Sequence, residues 1–160
     1  MTAVAAPTLT FFVRGNPVTK GSMIIRHRHG RYDARTKGCT CSNWPTEDNG
    51  ARLKEWRELI ATAAKNAMGE QPPFYGPLRV VTTFYFARPK AHTREQRAVP
   101  WVIVNKRHDI EKLDRAVYDA IGDAGNVWLD DSQVVSHDSQ KVYAGVGEHP
   151  GVMVMLETLS

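Results

Sequence analysis

The chain has 160 residues, 42% hydrophobic and 24% charged, with 12 Gly, 9 Pro, 2 Cys and a formal net charge of +4. That length suits one domain with its own core, and the apolar-to-charged balance excludes collagen-like, fibrous and disordered classes. No apolar run reaches the roughly 18 residues of a membrane span, the start MTAVAAPTLT lacks a signal-peptide pattern, and Cys39 and Cys41 sit too close for a disulfide framework.

Leu9 to Val13 reads as a first strand, ended by Gly15-Asn16-Pro17. Met23 to His27 and Gly30 to Ala34 read as a hairpin turning near His29-Gly30. Thr36 to Gly50 is polar and turn-rich, which predicts a loop, with 35–50 as a loop insertion. From Ala51 to Met68, Leu53, Trp56, Ile60, Ala63 and Ala67 recur at three- and four-residue spacing, an amphipathic helix stopped at Gly69. Leu78 to Phe86 is a β-branched and aromatic strand. Ala87 to Lys106 is a basic, proline-punctuated connection. A second helix runs from about Ile110 to Ile121, closed by Gly122 and Gly125. Strands follow at Gln133 to Ser136, Gln140 to Ala144 and Val152 to Leu156. No internal repeat or low-complexity linker interrupts the order, so residues 1–160 form a single domain. Its class is α/β (α+β mixed), a small mixed β-sheet flanked by two main helices.

Charge is unevenly spread. Seven basic residues lie between Arg14 and Lys37 against one acid, Asp33, whereas Asp130 to the end holds five acids and one base, Lys141. A basic arm in a chain with a tight acidic cluster fits a protein that holds a polyanion and does metal chemistry on it. The expected nucleic-acid contacts are Lys20, Arg26, Arg28, Arg31, Lys106, Arg107 and Lys141, with Trp44 and Trp101 as loop aromatics able to stack on exposed bases.

The acidic residues fall in two groups, Asp109 and Glu111 at the start of the second helix and Asp130 and Asp131 beyond its end. Carboxylates are the hard oxygen ligands that Mg²⁺ prefers, and three or four around one point hold an ion against a phosphate. A helix of about 12 residues carries the chain about 18 Å, and Gly122 to Leu129, if extended, returns about 26 Å. The groups can therefore meet within one chain, or a dimer partner can supply one of them. Plainer roles compete: Asp109 as a helix N-cap, Glu111 as a dipole partner or an ion pair to Arg115, and Asp130-Asp131 as a solvated turn.

The run Asp109-Ile110-Glu111-Lys112-Leu113, with Arg115 and Asp119-Ala120-Ile121, then Trp128-Leu129-Asp130-Asp131-Ser132-Gln133-Val134, resembles the signature of RusA-type Holliday-junction resolvases. The resemblance extends to Pro17-Val18-Thr19-Lys20-Gly21-Ser22, to Trp56 and to Lys141-Val142-Tyr143. It implies a RusA-like fold and a homodimeric crossover junction endodeoxyribonuclease of host or phage origin, while the missing signal-peptide pattern predicts a place in the cytoplasm, of a bacterial or phage-infected cell. The implied partner is branched double-stranded DNA, and the implied cofactor Mg²⁺ or Mn²⁺. The metal carboxylates carry over onto Asp109, Glu111 and Asp131, with Asp130 a further acid beside them, and the family's essential helix Lys onto Arg115. Glu111 stands where the family has Asp, one methylene shorter. Arg115 keeps the Lys charge and grips phosphate bidentately but does not give up a proton.

A second constellation is His27-x-His29 with Cys39-x-Cys41, a four-ligand zinc set. Its alternative is a pair of DNA-facing histidines and two free thiols. Two other functions are therefore weighed beside the nuclease: a non-catalytic, structure-specific DNA-binding module, and a zinc-stabilised interaction protein.

Overall fold

The structure is a computed structural model and describes residues 7–21, 23–39, 41–47, 50–102 and 108–159. Among them, β1 (Thr8–Arg14), β6 (Leu78–Phe86), β7 (Val134–Tyr143) and β8 (Gly151–Thr158) form one sheet in the order β1-β8-β6-β7. β8 runs antiparallel to both β1 and β6, and β6 runs parallel to β7. Alternation along β1 and β6 puts Leu9, Phe11 and Val13, and Leu78, Val80, Phe84 and Phe86, on one buried face.

Two helices cover that face. α1 (Gly50–Met68) buries Leu53, Trp56, Ile60, Ala64 and Met68, and α3 (Ile110–Ala124) buries Leu113, Ala116, Val117, Ala120 and Ile121. Both sets follow the spacing of one helical stripe. α3 begins on Asp109, whose side chain accepts from the Glu111 N–H, and ends on Gly125, left-handed at φ 73°. A parallel β6–β7 pair needs a long crossover, and α3 provides it.

Several sequence expectations change. Gly122 lies inside α3, so only Gly125 closes it. The two short strands expected after α3 are one, β7, because polar Asp138 and Ser139 keep their places in the ladder beside β6. The 87–101 connection holds a five-residue helix, α2 (Arg94–Ala98), started by a Thr93–Gln96 capping box.

The largest revision concerns the basic arm. β2 (Met23–Arg28) pairs not with the segment after His29 but with β5 (Ser42–Glu47), inside the stretch expected to be loop. Between them sits a small hairpin, β3 (Tyr32–Asp33) with β4 (Gly38–Cys39). Composition misled because β5, SNWPTE, is polar and contains a proline. It is stabilised by a distant partner rather than by its own pattern. No described residue from 23 to 47 whose burial is given is buried.

No helix among the described residues is long and apolar enough to cross a membrane.

Candidate functional site

α3 separates the two acidic groups. Its 15 residues span about 22 Å, with Asp109 and Glu111 at one end and Asp131 beyond the other. The packing shows that the chain has not yet turned back at Asp131. At the first end Lys141 Nζ donates to the His108 carbonyl oxygen at 2.5 Å. At the other end Asp131 opens a 3-10 turn (Asp131–Gln133), whose Gln133 donates to the Phe74 and Gly76 carbonyls. Between Val134 and Lys141 lie seven steps of β7, about 23 Å. α3 and β7 thus run side by side in opposite directions, and one chain holds its acid groups apart.

The individual side chains divide by role. Asp130 is a capping residue: hydrogen bonds from the Ser132 side chain and from Ser132 N, the latter at 2.9 Å, hold its carboxyl below the usual range. Gln133 Oε1 accepts from the Leu129 and Asp130 amides, which fixes the turn. Asp131 is exposed, and no hydrogen bond or ion pair engages its carboxylate among the described residues. Asp109 is the N-cap foreseen as its plainer role, accepting from Glu111 N at 3.2 Å. Glu111 and Arg115 are both exposed, and the helical ion pair open to them does not form. The N-cap and first two turns of α3 thus present two carboxylates and an uncommitted guanidinium to solvent. Exposed carboxylates of this kind suit a hard, oxygen-ligated cation. A three-acid set needs Asp131 from elsewhere.

The expected DNA contacts fare differently. Lys20 is half-buried, with Nζ 2.7 Å from Asp119 Oδ2. Arg57 pairs with Asp119 and Asp123, tying α1 to α3. Lys141 is held at His108, whose ring packs on Phe86 with centroids 4.4 Å apart. Lys106 and Arg107 lie outside the described residues. Arg26 and Arg28 stand exposed on β2, opposite Trp44 and Ser42 of β5. Cross-strand partners share a face, so one side of the ribbon presents two guanidiniums and an indole, and Arg31 lies exposed beyond its end. Trp101 is exposed as well, bridged to Val142.

The opposite face of the ribbon carries His27, opposite Asn43. His27, His29 and Cys41 place one ligand atom each within 4.8 Å of one another, whereas Asp109, Glu111 and Asp131 form no such group among the described residues. The expectation of free thiols does not hold. Cys41 is disulfide-bonded, and Cys39 is the only other cysteine in the sequence.

Sequence reading also passed over Asp114. It is 5% exposed, accepts from Thr82 Oγ1 at 2.7 Å, and anchors α3 to β6. Its position beside Leu113 and Val117 on the apolar stripe was the available signal.

The chain matches the family model described as Endodeoxyribonuclease RusA over residues 15–157, nearly its whole length. No curated protein matches it.

Proposed function

The chain belongs to the RusA family, endodeoxyribonucleases that resolve Holliday junctions, and on that footing we propose a metal-dependent homodimer whose every cleavage site is shared between two copies. The observation that carries this reading is the placement of Asp109 and Glu111 at one end of α3 and Asp131 at the other. A two-fold partner laid antiparallel over this surface brings its Asp131 to the first copy's Asp109 and Glu111, and the reverse contact completes a second site. Two equivalent sites match a substrate whose two strands are cut symmetrically.

In this reading Asp109, Glu111 and the partner copy's aspartate at the same position as Asp131 hold the divalent cation, Mg²⁺ or Mn²⁺. When bound, that cation lowers the pKa of water and offsets charge gathering on the phosphodiester. Asp130 holds the turn that aims Asp131. Arg115, one helical turn from Glu111, places a guanidinium against the phosphoryl oxygens and cannot serve as a proton donor. Glu111 reaches one methylene further than Asp. The Arg26, Arg28 and Trp44 face of the ribbon grips a duplex arm through its phosphates, giving steep salt dependence and little base readout.

The test is nicking of a synthetic four-way junction with Mg²⁺, comparing the parent with Asp131→Asn. Losing one carboxylate removes several kcal/mol of stabilisation at the reacting phosphate. Cleavage should therefore fall about 100-fold or more while junction binding persists. A parent that binds junctions but never cuts them points instead to a binding module.

A further inference from the structure

We propose that the outer end of the β2–β5 ribbon is a tetrahedral zinc site, formed by His27, His29, Cys39 and Cys41 once the disulfide at Cys41 is reduced. The ligand atoms of His27, His29 and Cys41 already lie within 4.8 Å of one another. In a zinc site, metal bonds of about 2.0 to 2.3 Å put neighbouring ligand atoms about 3.5 Å apart. Closing the remaining gap takes small rotations of exposed side chains. The two imidazoles meet edge to face, with centroids 4.5 Å apart and planes 80° apart.

The Asn43 contact bears on which nitrogen is available. Asn43 Oδ1 lies 2.5 Å from His27 Nδ1. A carboxamide oxygen only accepts, so Nδ1 carries the proton and Nε2 keeps its lone pair for a metal. That arrangement, a ligand imidazole donating its far N–H to an oxygen, fixes both tautomer and ring orientation in metal sites. Two thiolates with two imidazoles select zinc over hard cations such as Mg²⁺.

The arm also has a structural need for such a ligand. A two-stranded ribbon is marginally stable in water by itself, and no described residue from 23 to 47 with an assigned burial is buried. The ligands come from both sides of the ribbon: His27 and His29 where β2 ends, Cys39 and Cys41 just before β5 begins. A bound zinc would staple the two legs and hold Arg26, Arg28 and Trp44 in place on the opposite face.

Reduction is balanced with a phosphine reductant. The phosphine takes oxygen from water to become its oxide, the disulfide gains two electrons and two protons, and zinc then displaces the thiol protons. The experiment uses the full chain, freed of metal, reduced with a water-soluble phosphine and titrated with Co²⁺ and then Zn²⁺. The expected result is one ion per chain, with thiolate-to-cobalt charge-transfer and intense tetrahedral visible bands that an equivalent of zinc bleaches. Cys41→Ser and His27→Ala should abolish the tetrahedral spectrum. Asn43→Ala should weaken zinc binding about 10–100-fold while leaving all four ligands in place, and Lys54→Ala, on α1, should take up zinc normally. Absence of thiolate charge transfer, or uptake indifferent to Cys41→Ser, overturns the proposal. The carboxylate groups on α3 give no thiolate band, so this outcome is separate from that of the nuclease reading.

Discussion

Replacing Thr82 with Val removes one hydroxyl from the interface between β6 and α3 at nearly constant side-chain volume. That hydroxyl donates to Asp114 Oδ1 at 2.7 Å and lies 2.8 Å from Ser139 Oγ, and both Thr82 and Asp114 are buried. Burial pushes the Asp114 carboxyl above the usual range, opposed by hydrogen bonds from Ser139 and Thr82 and by the charge of His137. Stripping a donor from a buried acceptor costs about 1–3 kcal/mol. The cost depends on pH. A carboxyl raised in the folded state keeps its proton where the unfolded chain has already lost it, so stability falls as pH rises from the ordinary carboxylate value through the raised one. Valine removes a bond that favours the ionised form, which carries this loss to higher pH and deepens it. Urea unfolding of parent and Thr82→Val, repeated from acid to neutral pH, should show the full penalty at neutral pH and a smaller one in acid. A penalty under about 0.5 kcal/mol, or one that is the same at every pH, refutes this account of the α3 anchor.

Arg26→Ala and Arg28→Ala should each weaken junction binding alike across sequences and lower the slope of log affinity against log salt by about 1; unchanged slopes in filter-binding titrations would take the ribbon off the DNA. Gly151→Ala should cost about 1–3 kcal/mol in urea unfolding, because a Cβ there would meet the Val13 carbonyl oxygen and lie 2.5 Å from Phe12 Cζ. The Val13 oxygen is backbone, so trimming Phe12 to Ala should not restore Gly151→Ala; full rescue would show that the clash is with the ring alone.

The parts of the fold with strong local periodicity were legible from sequence. β6 coincides residue for residue with the apolar run Leu78–Phe86, and α1 and α3 begin within one residue of their expected starts, because their apolar stripes are written locally. The ribbon was not legible. β5 owes its form to β2, and nothing in SNWPTE announces partners as far back as Met23, which pairs with Glu47. Of the site, the acid groups and their order around one helix were visible, but not their relation in space. Extended-chain arithmetic showed only that Asp131 was able to return to Asp109. Gln133 capturing the carbonyls of Phe74 and Gly76 is what keeps it at the far end. Charge counting likewise could not tell Lys20, which is paired to Asp119, from Arg26 and Arg28, which stand exposed.

A heterodimer carrying one lesion per copy tests the shared site most directly. Asp109→Asn in one copy and Asp131→Asn in the other, isolated through two different affinity tags, leaves one shared site intact and puts both lesions in the other. Nicking should return to about half the parent's rate from two inactive homodimers, since one of two equivalent sites survives. A heterodimer as inactive as either homodimer, or a parent chain that cuts junctions as a monomer, contradicts assembly of the acids across two copies.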